Sequence, residues 1–233
     1  MLLSIIVPVF NEETSIVEVV DQLINLPLPE DLSTEIIVVD DGSTDGTTRI
    51  LEQFTSHPAL KIHYSVLNFG KGVAVRVGLR YAQGDIVAIQ DADLEYDPNY
   101  LLDLIKPVMD ERAQVVYGSR YLGVKQGMML LQDLGNRILT GFTNLLYGTR
   151  LTDSYTCYKV MTREVAAQLS RVLTCRGFEL EAEMTARLLL MGYKPLELPI
   201  RYRARSRTQG KKIRARDGFT GLWWLLRIRL LGS

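Results

Sequence analysis

Four short apolar runs, at residues 2–7, 35–39, 61–66 and 86–90, alternate with stretches of helical periodicity over the first 90 residues of this 233-residue chain. Taken together they read as continuously apolar strands, not as strands with one wet face. That pattern specifies an α/β fold with a parallel sheet covered by helices on both faces. Such sheets bind ligands beyond the C-terminal ends of their strands. The polar clusters at 8–12, 40–45, 68–71 and 91–93 all fall there.

The fourth run is the most informative. Ile86-Val87-Ala88-Ile89-Gln90 leads straight into Asp91-Ala92-Asp93. Two like charges beside a core are costly, and a divalent cation bound to phosphates offsets that cost. In extended backbone both side chains leave the same face, so Asp91 and Asp93 can approach one ion. Oxygen ligands suit Mg²⁺ or Mn²⁺, and the lack of a nearby histidine or cysteine cluster argues against structural zinc. The alternative is a pair of solvated loop acids. Gln90 receives no role from the sequence.

The other clusters carry similar choices. Asp40 or Asp41 can accept hydrogen bonds from a ribose or base, or can form an Asx turn with Ser43 and Asp45. Asn68-Phe69-Gly70-Lys71-Gly72 lacks the spacing of a P-loop, yet its glycines permit close approach at a helix start. Lys71 is then a phosphate or base-side contact, or else an exposed lysine on a glycine turn. Arg120, after Gly118-Ser119, pairs with a donor or acceptor phosphate or forms a surface salt bridge. Asp153 is catalytic, or it orients the acceptor or an arginine. His57 and His63 fit no catalytic set, and a Ser-His-Asp triad has no credible members.

Further along, the spacing predicts a helix at 16–24 capped by Asn11 or Thr14, and another opening at Pro98. A short strand is expected at 114–117. Residues 121–131 show weak periodicity and read as a mobile lid. A helix over 134–146 places Leu134, Ile138, Phe142 and Leu145 along one face. The helix at 178–191 carries Glu179, Glu181 and Glu183 in its first turns, where the helix dipole favours acids. A last strand is expected at 196–202.

Charge is distributed unevenly although the formal net charge is zero. Residues 201–233 hold ten Lys or Arg against one acid, Asp217, so the body is acidic and the tail basic. Arg201, Arg203, Arg205 and Arg207 share one strand face, and Lys211 and Lys212 follow. RNA is one polyanion that could use them, but no RNA-binding motif accompanies them and nucleic acid is not expected. Residues 213–231 turn helical, with Trp223-Trp224 and Leu225-Leu226 among arginines, which fits an anionic membrane surface. The competing reading docks that helix on the acidic body. The opening strand is too short for a signal peptide and no apolar stretch is long enough to span a bilayer. The two cysteines, Cys157 and Cys175, form no scaffold, so a reducing, cytoplasmic setting with peripheral membrane attachment is expected.

Pro8-Val9-Phe10-Asn11-Glu12, Asp40-Asp41-Gly42-Ser43-Thr44-Asp45-Gly46, Asn68-x-Gly-Lys-Gly and Asp91-Ala92-Asp93 together resemble glycosyltransferase family 2. Gly118-Ser119-Arg120-Tyr121 is similar to the dolichyl- or polyprenyl-phosphate mannosyl- and glucosyltransferases within it. The resemblance implies a GT-A fold, Rossmann-like in its nucleotide-binding half, over residues 1–203, then a basic acceptor-side loop and interfacial helix over 204–233. It implies GDP-mannose or UDP-glucose as donor, Mg²⁺ or Mn²⁺, and a polyprenyl phosphate acceptor. Pro8, Phe10, Glu12, Asp40, Asp41 and Lys71 would line the nucleotide site, and Asp91 and Asp93 would hold the metal. Arg120, Arg205, Arg207, Lys211 and Lys212 would receive the acceptor phosphate. A hydroxyl acceptor would need a base, for which Asp153 is the first candidate. Thr152-Asp153-Ser154-Tyr155-Thr156-Cys157-Tyr158-Lys159 departs from the mannosyltransferase form, so the sugar stays open. The alternatives are a glycosyltransferase with a soluble acceptor, a sugar nucleotidyltransferase, and a non-enzymatic lipid or RNA scaffold. The nucleotidyltransferase would need a glycine-rich loop after the first strand, and the scaffold would leave Asp91 and Asp93 idle.

Overall fold

The computed structural model describes residues 1–205 and 215–232. Its centre is a seven-stranded sheet of order β3-β2-β1-β4-β6-β5-β7. The strands are β1 (Leu2–Val9), β2 (Ser33–Asp40), β3 (Leu60–Tyr64), β4 (Ile86–Ile89), β5 (Val115–Gln126), β6 (Lys159–Thr162) and β7 (Leu196–Arg203). β1 pairs in parallel with β2 and β4, β2 with β3, and β5 with β7. Only β6 runs against its neighbours. Val9 stands opposite Asp40, Asp40 opposite Tyr64, and Ile6 opposite Ile89. The ends of the first four strands therefore share one rim, and the four polar clusters meet along it.

Helices cover both faces. They are α1 (Ile16–Ile24), α2 (Thr47–Leu51), α3 (Lys71–Tyr81), α4 (Leu101–Met109), α5 (Leu130–Tyr147), α6 (Arg163–Val172), α7 (Leu180–Leu190) and α8 (Ala215–Leu231). Ile16, Val19, Val20 and Leu23 of α1 are buried, the helical spacing of one core-facing stripe. Neither Asn11 nor Thr14 caps it: Ser15 holds that position and makes no side-chain cap bond. Its hydroxyl is instead turned to the Ala92 carbonyl at 2.8 Å, which ties the helix start to the rim. A short 3₁₀ turn, Pro98–Tyr100, precedes α4. A buried polar junction locks the opposite end of the sheet. Ser4 donates to Glu35, and Glu35 accepts from Lys61 Nζ and, at 2.6 Å, from the Gln83 backbone N–H.

One expectation fails in the second half. Residues 121–126 are not a lid: β5 continues through a register shift between Ser119 and Val124 and stays paired with β7 up to Gln126. The periodicity is weak there because Leu122 and Val124 stay about half exposed, whereas Gly123 lets the two strands approach closely. A Cβ at Gly123 would lie 2.0 Å from the Ile200 carbonyl oxygen. On α5 the structure shows which way the expected apolar row faces. Leu139, Thr140 and Thr143 point inward, with the Thr140 hydroxyl 3.1 Å from that of Ser154. Leu134, Ile138 and Leu145 face outward at 55, 54 and 81% exposure. Phe142, the fourth residue of the row, instead packs with Leu146 and Tyr147 against Ala182, Ala186, Leu225 and Ile228.

Candidate active site

Asp91 and Asp93 are placed by what surrounds β4. Gln90, fully buried, spends its amide N–H groups on the Asp91 carbonyl (2.9 Å) and the Tyr96 carbonyl (3.3 Å), and accepts from the Tyr158 hydroxyl. It thereby curls the chain immediately after the strand. Leu94 completes the turn in left-handed backbone, φ 58°, a conformation that a branched side chain adopts only where its surroundings impose it. The Glu95 backbone N–H closes on Asp93 at 3.1 Å.

Each carboxylate already faces a cation of the chain. Lys71 Nζ lies 2.8 Å from Asp91 Oδ1 and 3.2 Å from Glu181 Oε1. Arg205 grips Glu12 with both terminal nitrogens, at 2.7 and 2.9 Å, and its Nη2 also lies 3.2 Å from Asp93 Oδ2. The two acids are nevertheless unequally served. For Asp91 burial raises the pKa, but Lys71 and a hydrogen bond from Cys157 outweigh it and leave it below the usual carboxylate range. Asp93 is pushed up to about 7 by burial, with Asp91 and Glu95 adding to the shift against Arg205. Asp93 therefore keeps an unmet demand for positive charge.

That donor set fits Mg²⁺ or Mn²⁺. Among the described residues no group of three or more His, Cys, Asp or Glu could hold an ion by itself. Two carboxylates with waters and phosphate oxygens are the usual surroundings of a catalytic Mg²⁺.

The remaining candidates divide. Glu12, Lys71, Asp91, Asp93 and Arg205 are brought together. Asp40 and Asp41 sit on the same rim but are turned into loops. Asp40 accepts from the Ser43 N–H at 3.0 Å and the Thr48 hydroxyl at 2.6 Å. Asp41 accepts from the backbone N–H groups of Phe69 (3.0 Å) and Gly70 (2.6 Å), which fastens the Lys71 loop to β2. Pro8 is buried at the end of β1 and Phe10 is half-buried just beyond it. Arg207, Lys211 and Lys212 lie outside the described residues.

Arg120 and Asp153 face each other inside the fold. Asp153 is fully buried and Arg120 is 4% exposed. Arg120 Nε and Nη2 reach the two Asp153 oxygens at 2.7 and 2.8 Å, and the Arg120 backbone N–H adds a third bond at 3.1 Å. The guanidinium lies 5.2 Å from the centre of the Tyr202 ring. Both oxygens of Asp153 are committed to Arg120, the arrangement expected of an acid that orients an arginine. Arg120 correspondingly engages Asp153 through Nε and Nη2.

The family model for "Glycosyl transferase family 2" matches residues 4–169. The chain belongs to glycosyltransferase family 2. It is 28% identical over 200 residues to the glycosyltransferase AglJ of Haloferax volcanii, covering 85% of this chain and 62% of that protein. It is 31% identical over 172 residues to the glycosyltransferase YkcC of Bacillus subtilis, covering 72% of this chain and 52% of that protein. The chain thus spans roughly half to two thirds of these two relatives. In fold it is similar to glucosyl-3-phosphoglycerate synthase of Mycobacterium tuberculosis, solved with Mn²⁺, UDP and glucosyl-3-phosphoglycerate. The TM-score is 0.69 at 21% identity, over 99% of this chain and 78% of the other. The fold is GT-A, and family 2 members transfer a sugar from a nucleotide sugar.

One residue of this family 2 site escaped the sequence reading. Glu181 was assigned to the helix dipole, yet α7 is buried from Leu180 to Leu188 and Glu181 reaches into the site. It bonds Lys71 and the fully buried Lys159, whose ammonium also donates to the Thr156 carbonyl. Glu183 accepts from the Cys175 N–H at 2.7 Å, and Glu179 from the Arg176 N–H at 3.0 Å. The available signal was the spacing: acids at 179, 181 and 183 sweep about 200° of a helix and cannot share one solvent face.

Proposed function

We propose that this glycosyltransferase moves a hexose, with inversion, from a sugar nucleotide to a polyprenyl phosphate at a membrane surface, using Mg²⁺ or Mn²⁺ at Asp91 and Asp93. The observation that carries the donor half is the placement of Asp91 and Asp93 side by side beyond the end of β4, with Lys71 Nζ 2.8 Å from Asp91 and Arg205 Nη2 3.2 Å from Asp93. A divalent cation there would stabilise the charge that develops on the departing nucleoside diphosphate. Pro8, Phe10 and Glu12 at the end of β1, with Asp40 and Asp41 at the end of β2, frame the nucleoside. Lys71, on Asp91 at the first position of α3, adds a positive charge where diphosphate oxygens meet a helix N-terminus.

The acceptor phosphate is already an anion. It attacks the anomeric carbon from the face opposite the diphosphate: the new C–O bond forms as the bond to the diphosphate breaks, and no proton has to be removed. That agrees with the engagement of Asp153 by Arg120. Arg207, Lys211 and Lys212 are the acceptor-phosphate contacts in this reading, and Arg205 stands at the border between donor and acceptor.

Membrane placement is supported by two outward apolar rows. Leu131, Leu134, Ile138 and Leu145 on α5 are exposed, as are Phe219, Trp223, Leu230 and Leu231 on α8. The helices touch through the Tyr147 hydroxyl, 2.8 Å from the Leu225 carbonyl. Trp223 is 61% exposed, whereas Trp224 packs inward. Among the described residues no helix is long and apolar enough to cross a membrane, which fits helices lying in an interface. A second reading, transfer to a soluble phosphorylated acceptor, is favoured by the likeness in fold to an enzyme named for 3-phosphoglycerate.

The test is a panel of GDP-mannose, UDP-glucose and UDP-GlcNAc against a short polyprenyl phosphate and against soluble sugar phosphates and phosphoglycerate, with Mg²⁺, Mn²⁺ or chelator. Chelator-sensitive transfer to the lipid phosphate is expected. Transfer only to the soluble acceptors would replace the lipid assignment. Flotation with anionic liposomes checks the surface: the Leu134→Glu, Ile138→Glu, Trp223→Glu triple variant should stay at the bottom of the gradient while the parent rises.

A further inference from the structure

Arg205 sits in an unusual place for a residue of a basic, acceptor-side segment. It closes the donor side of the site. Its Nη1 and Nη2 hold Glu12, Nη2 reaches Asp93, and its backbone N–H donates to Glu95 Oε1 at 2.7 Å. Tyr202 fixes the other Glu95 oxygen at 2.6 Å, and the Arg203 N–H reaches the Glu95 carbonyl at 3.0 Å. The end of β7 and the turn after Asp93 are therefore bolted together, and the guanidinium occupies Asp93 Oδ2, one of the oxygens that a cation would need. Its Nε–H is buried and has no hydrogen-bond partner among the described residues. One donor of the fork is thus uncommitted.

We propose that Arg205 competes with the divalent cation for Asp93, so that the metal enters together with the nucleoside diphosphate and not alone. The inference rests on reading Asp91 and Asp93 as the cation ligands. A bare divalent ion arriving at Asp93 meets a guanidinium 3.2 Å from the same carboxylate and finds two carboxylates, one of them already on Lys71. A dication and a guanidinium that share one partly buried carboxylate repel each other. A diphosphate changes the balance. Its oxygens complete the metal's coordination and offer Arg205, through Nε–H and Nη2, anionic acceptors in exchange for Asp93. Glu12 retains the guanidinium throughout, which keeps it at the site. Arg205 acts here as a positioning residue that makes metal and donor binding mutually dependent.

Mn²⁺ binding followed by electron paramagnetic resonance, with and without GDP or UDP, reads this directly and needs no turnover. In the wild type, the diphosphate should tighten Mn²⁺ binding at least tenfold. Arg205→Gln by itself would expose Glu12 as a new ligand, so the decisive variant is Glu12→Gln with Arg205→Gln. It should bind Mn²⁺ alone about tenfold more tightly than the wild type, and the diphosphate should add little. Arg205→Lys, which keeps the charge, should stay close to the wild type, and thermal unfolding of each variant checks that it is folded. If the double variant binds free Mn²⁺ no more tightly than the wild type, the competition is refuted. Asp93→Asn separates the two levels: retention of Mn²⁺ with diphosphate in that variant removes the metal assignment itself, whereas its loss leaves the assignment standing whatever Arg205 does.

Discussion

Replacing Arg120 by Met decides whether that arginine belongs to the acceptor site or to the scaffold. The substitution keeps much of the side-chain volume and deletes two charge-assisted bonds, of 2.7 and 2.8 Å, to Asp153. The Asp153 side chain is 0% exposed and that of Arg120 5%, so water cannot replace the lost donors. What remains is a buried carboxylate with the Arg120 backbone N–H as its residual partner from that residue. Breaking a buried pair from one side costs about 3–5 kcal/mol. For a chain of this size each kcal/mol moves Tm by about 2–4 °C, so a fall of roughly 6–20 °C is expected. Asp153→Asn should cost less than Arg120→Met, because the amide keeps one acceptor and the shape. The double variant, Arg120→Met with Asp153→Leu, should recover much of the loss, since neither charge is then stranded. Urea unfolding of these proteins together with the single Asp153→Leu variant closes the cycle. A loss below about 1 kcal/mol for Arg120→Met would mean that the pair is wet and its arginine free for a ligand, and would overturn the structural assignment.

Two further outcomes test the frame that carries the site. At Glu35 burial raises the pKa, but the bonds from Lys61, Ser4 and Gln83 outweigh it and hold the carboxyl below its ordinary 4.5. A depressed acid stabilises the fold above its unfolded pKa and loses that contribution as pH falls through the folded value. The stability advantage over Glu35→Gln, about 1.5–3 kcal/mol near neutrality, should therefore shrink below about pH 4.5, and a gap that stays constant from pH 7 to 3 would contradict the network. Gly123→Ala drives a Cβ to within 2.0 Å of the Ile200 carbonyl and should cost about 1–3 kcal/mol, with faster amide exchange over residues 121–126. Gly141→Ala, with nothing within 4 Å, should instead stabilise α5 by about 0.5–1 kcal/mol; equal effects at the two positions would argue against the β5–β7 pairing.

The first half of the fold was readable because its signals are local. Periodicity separates strand from helix within ten residues, and Pro8, Gly42 and Gly70 punctuate the strand ends. The second half was harder. The apolar row of α5 splits between the surface and the contact with α7 and α8, and β5 hid half its length in a pattern that neither burial nor alternation announces. Glu181 was missed because a helix buried all round leaves no amphipathic trace of which side chain faces a cation.

By itself the sequence determined that four polar clusters lie beyond four strand ends, and that one of them offers paired carboxylates. Steric preference and hydrophobic periodicity act over a few neighbours, so they are legible in order along the chain. Only the tertiary structure decided which charge meets which. Lys71 and Glu181 are 110 positions apart and Arg205 and Glu12 are 193 apart. Charges so distant in the chain are brought within 3.2 Å only by the packing of α7 beside the start of α3 and of the end of β7 against the turn after β4. The same packing excludes the water that would otherwise screen them, and so gives each pairing its strength.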